Sequence, residues 1–252
     1  LSSNRQQQIL DIARQTGQVT VDALARQFDV TPQSIRKDLN RLCDDRLLSR
    51  THGGARLASS VENMSYEARR MLASDDKAAI GEAVAALIPD HASMFVNIGT
   101  TTEAVATALV QHQGLMVITN NINVATHLRP CRDIQVIIAS GEVRSTDGGI
   151  VGEAAVDFIS QFKVDFAVIG SSAIDADGAL LDFDYREVKV SQAIISNARH
   201  VILAADSTKH ERTAPVRIGH ISQIHSFVTE RCPADFKRLL QSFDIRTIET
   251  AV

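Results

Sequence analysis

Apolar residues recur at helical spacing three times near the amino terminus. Ile9, Leu10, Ile12 and Ala13 mark a helix over residues 5–15, which Gly17 ends. Leu24, Ala25 and Phe28 share one face of a second helix, VDALARQF, with Thr20 placed to cap it. Ile35, Leu39 and Leu42 form the buried stripe of a third, TPQSIRKDLNRL. There Thr31 is the N-cap and Pro32 takes the first helical position, where a missing N–H costs nothing. RLLSRTHGGARL then reads as two short strands joined at Gly53-Gly54. Three helices, a tight turn between the second and third, and a hairpin predict a winged helix-turn-helix over residues 1–57.

From Asp75 the pattern changes. Short aliphatic strands (SMFVNIG, LMVITN, IQVIIASG, VDFAVIGSSAI and RHVILAADSTK) are separated by segments with helical periodicity. IHSFVTE and FDIRTIE finish the series. Strands of four to seven aliphatic residues alternating with helices predict an α/β domain with a mainly parallel sheet over residues 75–252. Residues 58–74, small and polar and then charged, read as a linker running into a helix. The fold class is therefore α/β with an N-terminal winged helix-turn-helix.

Charge sharpens this division. Residues 1–57 carry nine Lys/Arg against six Asp/Glu, a balance of +3. The remainder has seventeen against twenty-four, a balance of −7. A basic end on an acidic body points to a polyanionic partner at that end alone. Three scattered cysteines, Cys43, Cys131 and Cys232, read as reduced thiols, and no apolar run approaches membrane-spanning length. These features predict a cytoplasmic protein with no membrane partner. The eight histidines show no HxxxH or HxH spacing and no GxSxG elbow is present, so neither a metal site nor a nucleophilic triad is expected.

On the third helix, Gln33, Ser34, Arg36, Lys37, Asn40 and Arg41 lie outside the apolar stripe. Arg bonds guanine edges, Asn and Gln suit adenine, and Lys and Arg neutralise phosphates. His52, at the hairpin tip, joins them as a contact to double-stranded DNA. In the second domain polar residues follow each strand, where ligands of open parallel sheets bind. Gly99, Thr100, Thr101 and Thr102 open a helix and offer N–H groups to a phosphate. Asn120, Gly141, Glu142, Gly170, Asp206 and Lys209 stand at the other strand ends, and Asp182 is a candidate partner for a sugar hydroxyl. Arg144, Glu187 and Lys189 fit a pocket wall or a surface equally well. Hydroxyls, amides, carboxylates and one Lys together suit a small, polyhydroxylated anion.

The first module, with Ser34-Ile35-Arg36-Lys37-Asp38-Leu39 and His52-Gly53-Gly54-Ala55, resembles the DeoR family of bacterial transcriptional regulators. Lys37 departs from the family's Arg, which keeps charge for a phosphate but loses the bidentate fork. IGTT, TNN, SGEVR, YREV and ADSTK extend the resemblance along nearly the whole chain. It implies a homo-oligomeric repressor, a dimer or tetramer, released from operator DNA by a phosphorylated sugar or polyol, with sn-glycerol 3-phosphate first among candidates. It also implies a second domain similar in fold to ribose-5-phosphate isomerase, which raises an enzyme as the rival reading. Those isomerases carry an Asp-Gly-Ala-Asp turn where this chain has Gly170-Ser171-Ser172-Ala173, so no catalytic residue and no cofactor are expected. A phosphosugar sensor acting on another protein is the remaining alternative.

Overall fold

The computed structural model describes residues 4–16, 18–45, 47–51, 53–57 and 65–250. They form two compact units, one up to Met64 and the other from Ser65 onward.

The first unit comprises α1 (Asn4–Thr16), β1 (Gln18–Thr20), α2 (Val21–Gln27), α3 (Pro32–Asp44), β2 (Leu48–Thr51) and β3 (Gly54–Leu57). Thr20 and Thr31 accept the N–H of Ala23 and Ser34, so both caps form where the sequence puts them. The apolar stripes of the three helices meet in one core around Ile9, Leu24, Ile35, Leu39 and Leu42. Strand β1 was not foreseen. It pairs with β3, giving the order β1-β3-β2. A Cβ on Gly54 would stand 2.0 Å from the Val19 carbonyl oxygen, so only glycine admits that strand. Asp38, which the sequence reading assigned to neither face, joins the apolar stripe of α3. It is buried and accepts from Arg5 Nε at 2.7 Å and Gln6 Nε2 at 3.0 Å, which locks α1 onto α3.

The second unit opens with α4 (Tyr66–Met71), α5 (Ser74–Ala85), β4 (Ser93–Val96), α6 (Thr100–Ala108), β5 (Leu115–Thr119), α7 (Ile122–Leu128) and β6 (Ile134–Ile138). It continues through β7 (Glu142–Val143), β8 (Ile150–Val151), α8 (Glu153–Ile159), β9 (Val164–Ile169), β10 (Ala173–Ile174), β11 (Ala179–Asp182) and α9 (Tyr185–Ser196). β12 (Ala198–Ala204), β13 (Val216–His220), β14 (Ser226–Thr229), α10 (Ala234–Ser242) and β15 (Arg246–Glu249) complete it. Residues 65–74, read from sequence as linker, thus belong with this unit.

Seven strands form one parallel sheet in the order β15-β14-β12-β9-β4-β5-β6. Alternate residues face opposite layers: Met94 and Val96 pack with α5, α6 and α7, while Phe95 packs with α8, α9 and α10. From β4 the chain runs outward one way through β5 and β6, then returns to β9 and runs the other way. The switch point therefore lies between β4 and β9, where the loops leaving their carboxyl ends diverge. The small antiparallel sheet β10-β11-β13 and the β7-β8 pair were not anticipated, because their strands are too short or irregular to show a period. Among the described residues no helix is long and apolar enough to cross a membrane.

Candidate functional site

On the first unit the structure places Gln33, Arg36, Lys37, Asn40 and Arg41 exposed on α3, with Ser34 half-buried beside them. Gln33, Ser34, Arg36, Lys37 and Asn40 line one shallow groove with Thr31. Arg41 stands exposed on the same helix, outside that groove, and His52 lies outside the described residues. Ser34 is committed in part to its own helix end, where its Oγ lies 3.0 Å from Thr31 Oγ1. An exposed helical face of this composition has the groups for reading a DNA groove.

On the second unit the sheet order makes the ends of β12, β9, β4 and β5 neighbours. The loop after β12 brings Asp206, which is 1% exposed, and Lys209, 7% exposed. Lys77 from α5, 4% exposed, joins them, as do Arg212 and Arg69 of α4. Lys209, Lys77 and Arg212 thus lie close enough to Asp206 to act on its charge, and Arg69 acts on Lys209 and Lys77. Burial pushes the Lys209 ammonium down to about 7; Asp206 resists this, while Arg212, Lys77 and Arg69 add to it. Burial likewise lowers Lys77. Asp206 is raised by its own burial, but Lys209, Thr208 and Lys77 outweigh that and hold it below the usual carboxylate range. Burying the two ammonium groups of Lys77 and Lys209 costs free energy that Asp206 offsets in part.

Several buried polar atoms here have no hydrogen-bond partner: Arg69 Nε, Arg212 Nε and Nη2, Asp206 Oδ2, Ser171 Oγ and Asn120 Oδ1. Native interiors carry few such atoms, and these donors and acceptors could each take a polar partner. Gly99, at φ +148°, starts α6 with no side chain capping its first turn, so that turn remains available to an acceptor.

A second cluster stands beside the first. Arg144 donates to Asp147 at 2.7 Å, Asp184 at 3.2 Å and Glu187 at 2.6 Å. Asp182 accepts from Ser172 Oγ at 3.0 Å and from the Phe183 N–H at 2.6 Å. Burial pushes Asp182 and Glu187 above the usual carboxylate range, and the charge of Asp182 lifts Glu187 further. Protonated carboxyls can donate as well as accept, a suitable lining for hydroxyl groups.

Residues 5–61 match the DeoR-like helix-turn-helix domain, and residues 72–231 match the DeoR C terminal sensor domain. The chain belongs to the DeoR family. This DeoR-family regulator is 46% identical over 231 residues to the glycerol-3-phosphate regulon repressor of Escherichia coli (strain K12), covering 92% of each chain. It is 47% identical to the glycerol-3-phosphate regulon repressor of Haemophilus influenzae, covering 92% of this chain and 90% of the relative. Among solved structures, ribose 5 phosphate isomerase A from Neisseria gonorrhoeae overlays with a TM-score of 0.39 and 12% identity, over 53% of this chain and 52% of the isomerase. A chain built from a DNA-binding helix-turn-helix and a DeoR sensor domain is a transcriptional regulator rather than an enzyme.

The DeoR sensor brings together most of the residues singled out from sequence, though not all in one role. Lys209 and Asp206 lie within the cation cluster, and Gly99, Asn120 and Gly170 at adjoining strand ends. Thr101 and Thr102 are buried, and Thr102 Oγ1 is spent on the carbonyls of Asn97 and Gly99, so it shapes the loop. Thr100 is half-exposed at the helix start. Gly141 packs against the Val151 carbonyl, and Glu142 points to solvent, pairing with Arg186 at 3.4 Å. Both stand beyond β6, at the sheet edge, and the structure does not gather Glu142 with the cations. Lys189 is exposed. Lys77, Arg69 and Arg212 escaped the sequence reading because none of them follows a strand of the main sheet directly. The one signal was a Lys at a position facing the apolar side of α5, between Ala73 and Ile80.

Proposed function

We propose that this chain is a repressor that holds operator DNA through α3 and releases it when a small phosphorylated polyol enters the sensor, with sn-glycerol 3-phosphate the leading effector. The cluster of the buried Lys77 and Lys209 with the half-buried Arg212 and Arg69, beside the buried Asp206, carries the reading. A phosphoryl dianion would offset much of its positive charge and give an acceptor to donors that the protein leaves unpaired. The carboxyl-rich cluster of Asp182 and Glu187 suits the hydroxyls of the same ligand. High identity to two repressors named for a glycerol-3-phosphate regulon adds support for that effector over other sugar phosphates. The protein acts as a homo-oligomer, a dimer or tetramer, so that two recognition helices engage half-sites about one helical turn apart.

The test is the melting temperature of the full chain against a panel of phosphorylated sugars and polyols, since a ligand of the folded state raises it by mass action. A rise with sn-glycerol 3-phosphate and none with glycerol is the expected result. A rise with another phosphate alone keeps the cation site and replaces the effector. No rise with any phosphate removes the reading.

A further inference from the structure

Helix α4 occupies residues 66–71, in the interval 62–71 that neither family region covers. It is the first helix after residues 58–64, so it is the part of the sensor through which the chain continues to the DNA-binding unit. None of its residues is buried, and Met71 is 79% exposed. Polar contacts hold it instead. Tyr66 Oη donates to Glu103 at 2.6 Å and accepts from Asn123 Nδ2 at 3.1 Å. Arg69 reaches Asp147 at 3.4 Å, a long contact to a carboxylate that Arg144 already holds at 2.7 Å.

The joint between α4 and α5 is equally particular. Ala73 adopts φ +52° and ψ +40°, a left-handed conformation that costs a non-glycine residue about 1 kcal/mol or more. Across this joint the buried Lys77 ammonium donates to the carbonyl oxygens of Arg69 and Leu72. Lys77 therefore touches the end of α4 and belongs to the cation cluster at once. Residues of α4, α5, α6 and α7 border an open cleft of about 700 Å³, lined by Tyr66, Lys77, Thr100, Glu103, Asn123 and Val124 among others.

We propose that α4 is a movable wall of the effector site, with Arg69 as a ligand-contacting residue that docks the helix when a phosphate binds. The inference rests on the anion site described above and adds to it the element that transmits occupancy. Arg69 has one weakly engaged side, a long contact to an already shared carboxylate, and a buried Nε with no partner. A phosphoryl group among Lys209, Arg212 and Lys77 gives that guanidinium a stronger acceptor. Docking α4 in this way fixes the start of the sensor, and so the chain leading to the DNA-binding unit. With no buried apolar residue, α4 is held by those polar contacts, and a ligand contact at Arg69 adds to its stability.

The experiment is hydrogen exchange on the full chain, with and without saturating sn-glycerol 3-phosphate, and with inorganic phosphate as a second probe. Trypsin cleavage after Arg69 and Arg70 gives an independent readout. Ligand should slow exchange in α4 and cleavage at both arginines at least fivefold. Arg69→Gln should weaken ligand binding about tenfold, the loss of one charge-assisted hydrogen bond, and remove most of the protection of α4. Arg69→Lys should restore part of both. Tyr66→Phe, which loosens α4 without touching the cation cluster, should speed ligand-free exchange of the helix while ligand still protects it. If the melting temperature rises with ligand but α4 exchange and the affinity of Arg69→Gln stay at wild-type values, this inference fails and the anion site stands. If neither probe binds at all, both fail together.

Discussion

The two units use charge in opposite ways. On α3 Gln33, Arg36, Lys37, Asn40 and Arg41 stand in water, where they can meet a phosphate or a base edge. In the sensor Lys77, Lys209 and Asp206 are buried, Arg69 and Arg212 are half-buried beside them, and Arg69 Nε, Arg212 Nε and Nη2 and Asp206 Oδ2 have no partner. The first arrangement costs the folded protein almost nothing and yields a surface that waits for DNA. The second is held against the desolvation of the Lys77 and Lys209 ammonium groups, and on the proposed function an anion would offset that cost. A switch needs such an asymmetry, because a ligand shifts an equilibrium only through a differential affinity for its states.

The largest effect that would break this contrast is expected at Lys209. Lys209→Met removes one buried cation, and the calorimetric affinity for sn-glycerol 3-phosphate should fall about 100-fold or more. Asp206 keeps Lys77 and Arg212 beside it, so the variant should remain folded, and its DNA binding should become insensitive to ligand. Wild-type ligand affinity in this variant would mean that the buried cluster is structural.

The exposed face should respond more modestly. Arg36→Ala is expected to weaken specific operator binding about 10- to 100-fold, the span of one bidentate base contact, with ligand affinity intact. Gel-shift titrations against specific and scrambled DNA measure it. Equal loss on both DNAs would make Arg36 a phosphate contact. Asp38 tests how the same helix is held. Asp38→Ala removes the acceptor shared by Arg5 and Gln6 and should lower the stability of the first unit by about 2 kcal/mol, discounted for the partial exposure of Arg5.

Acidity separates the units further. The Lys209 ammonium loses its proton as pH rises through about 7, whereas in the unfolded chain it does so near 10.5. The unfolded state therefore binds more protons across that window, and this group makes ligand-free stability rise with pH there. An anion favours the charged amine, with Asp206, Arg212, Lys77 and Arg69 as its charged neighbours. Binding at pH 8 should then take up close to one proton, and affinity should weaken above pH 7 by up to about tenfold per unit. Titrations in buffers of different ionisation enthalpy count that proton. No uptake at pH 8 would mean that Lys209 stays charged without ligand. The smallest effect belongs to Lys37. Lys37→Ala should reduce the salt dependence of DNA binding by about one ion, uniformly across sequences.

The same contrast explains what the sequence made legible. The α3 face could be read residue by residue because a 3.6-residue period assigns each position to core or solvent. The burial of Asp38 was not legible there, since a buried acid needs Arg5 and Gln6 from another helix, and no local pattern announces them. In the sensor the strands and their polar ends were visible, and Asp206 and Lys209 came with them. Lys77, Arg69 and Arg212 were invisible because tertiary folding alone brings α4, α5 and the loop after β12 together. Glu142 shows the converse: a polar residue after a strand means little when that strand is at the sheet edge.

The most direct test of the central claim is the anisotropy of labelled operator DNA bound by the full chain as sn-glycerol 3-phosphate is added, with glycerol as the control. The account predicts that the phosphate ester releases the DNA while glycerol leaves it bound, and that Lys209→Met stays bound in both. Release by glycerol as well, or undiminished release from Lys209→Met, would contradict the claim that a buried cation site for phosphate governs the hold on DNA.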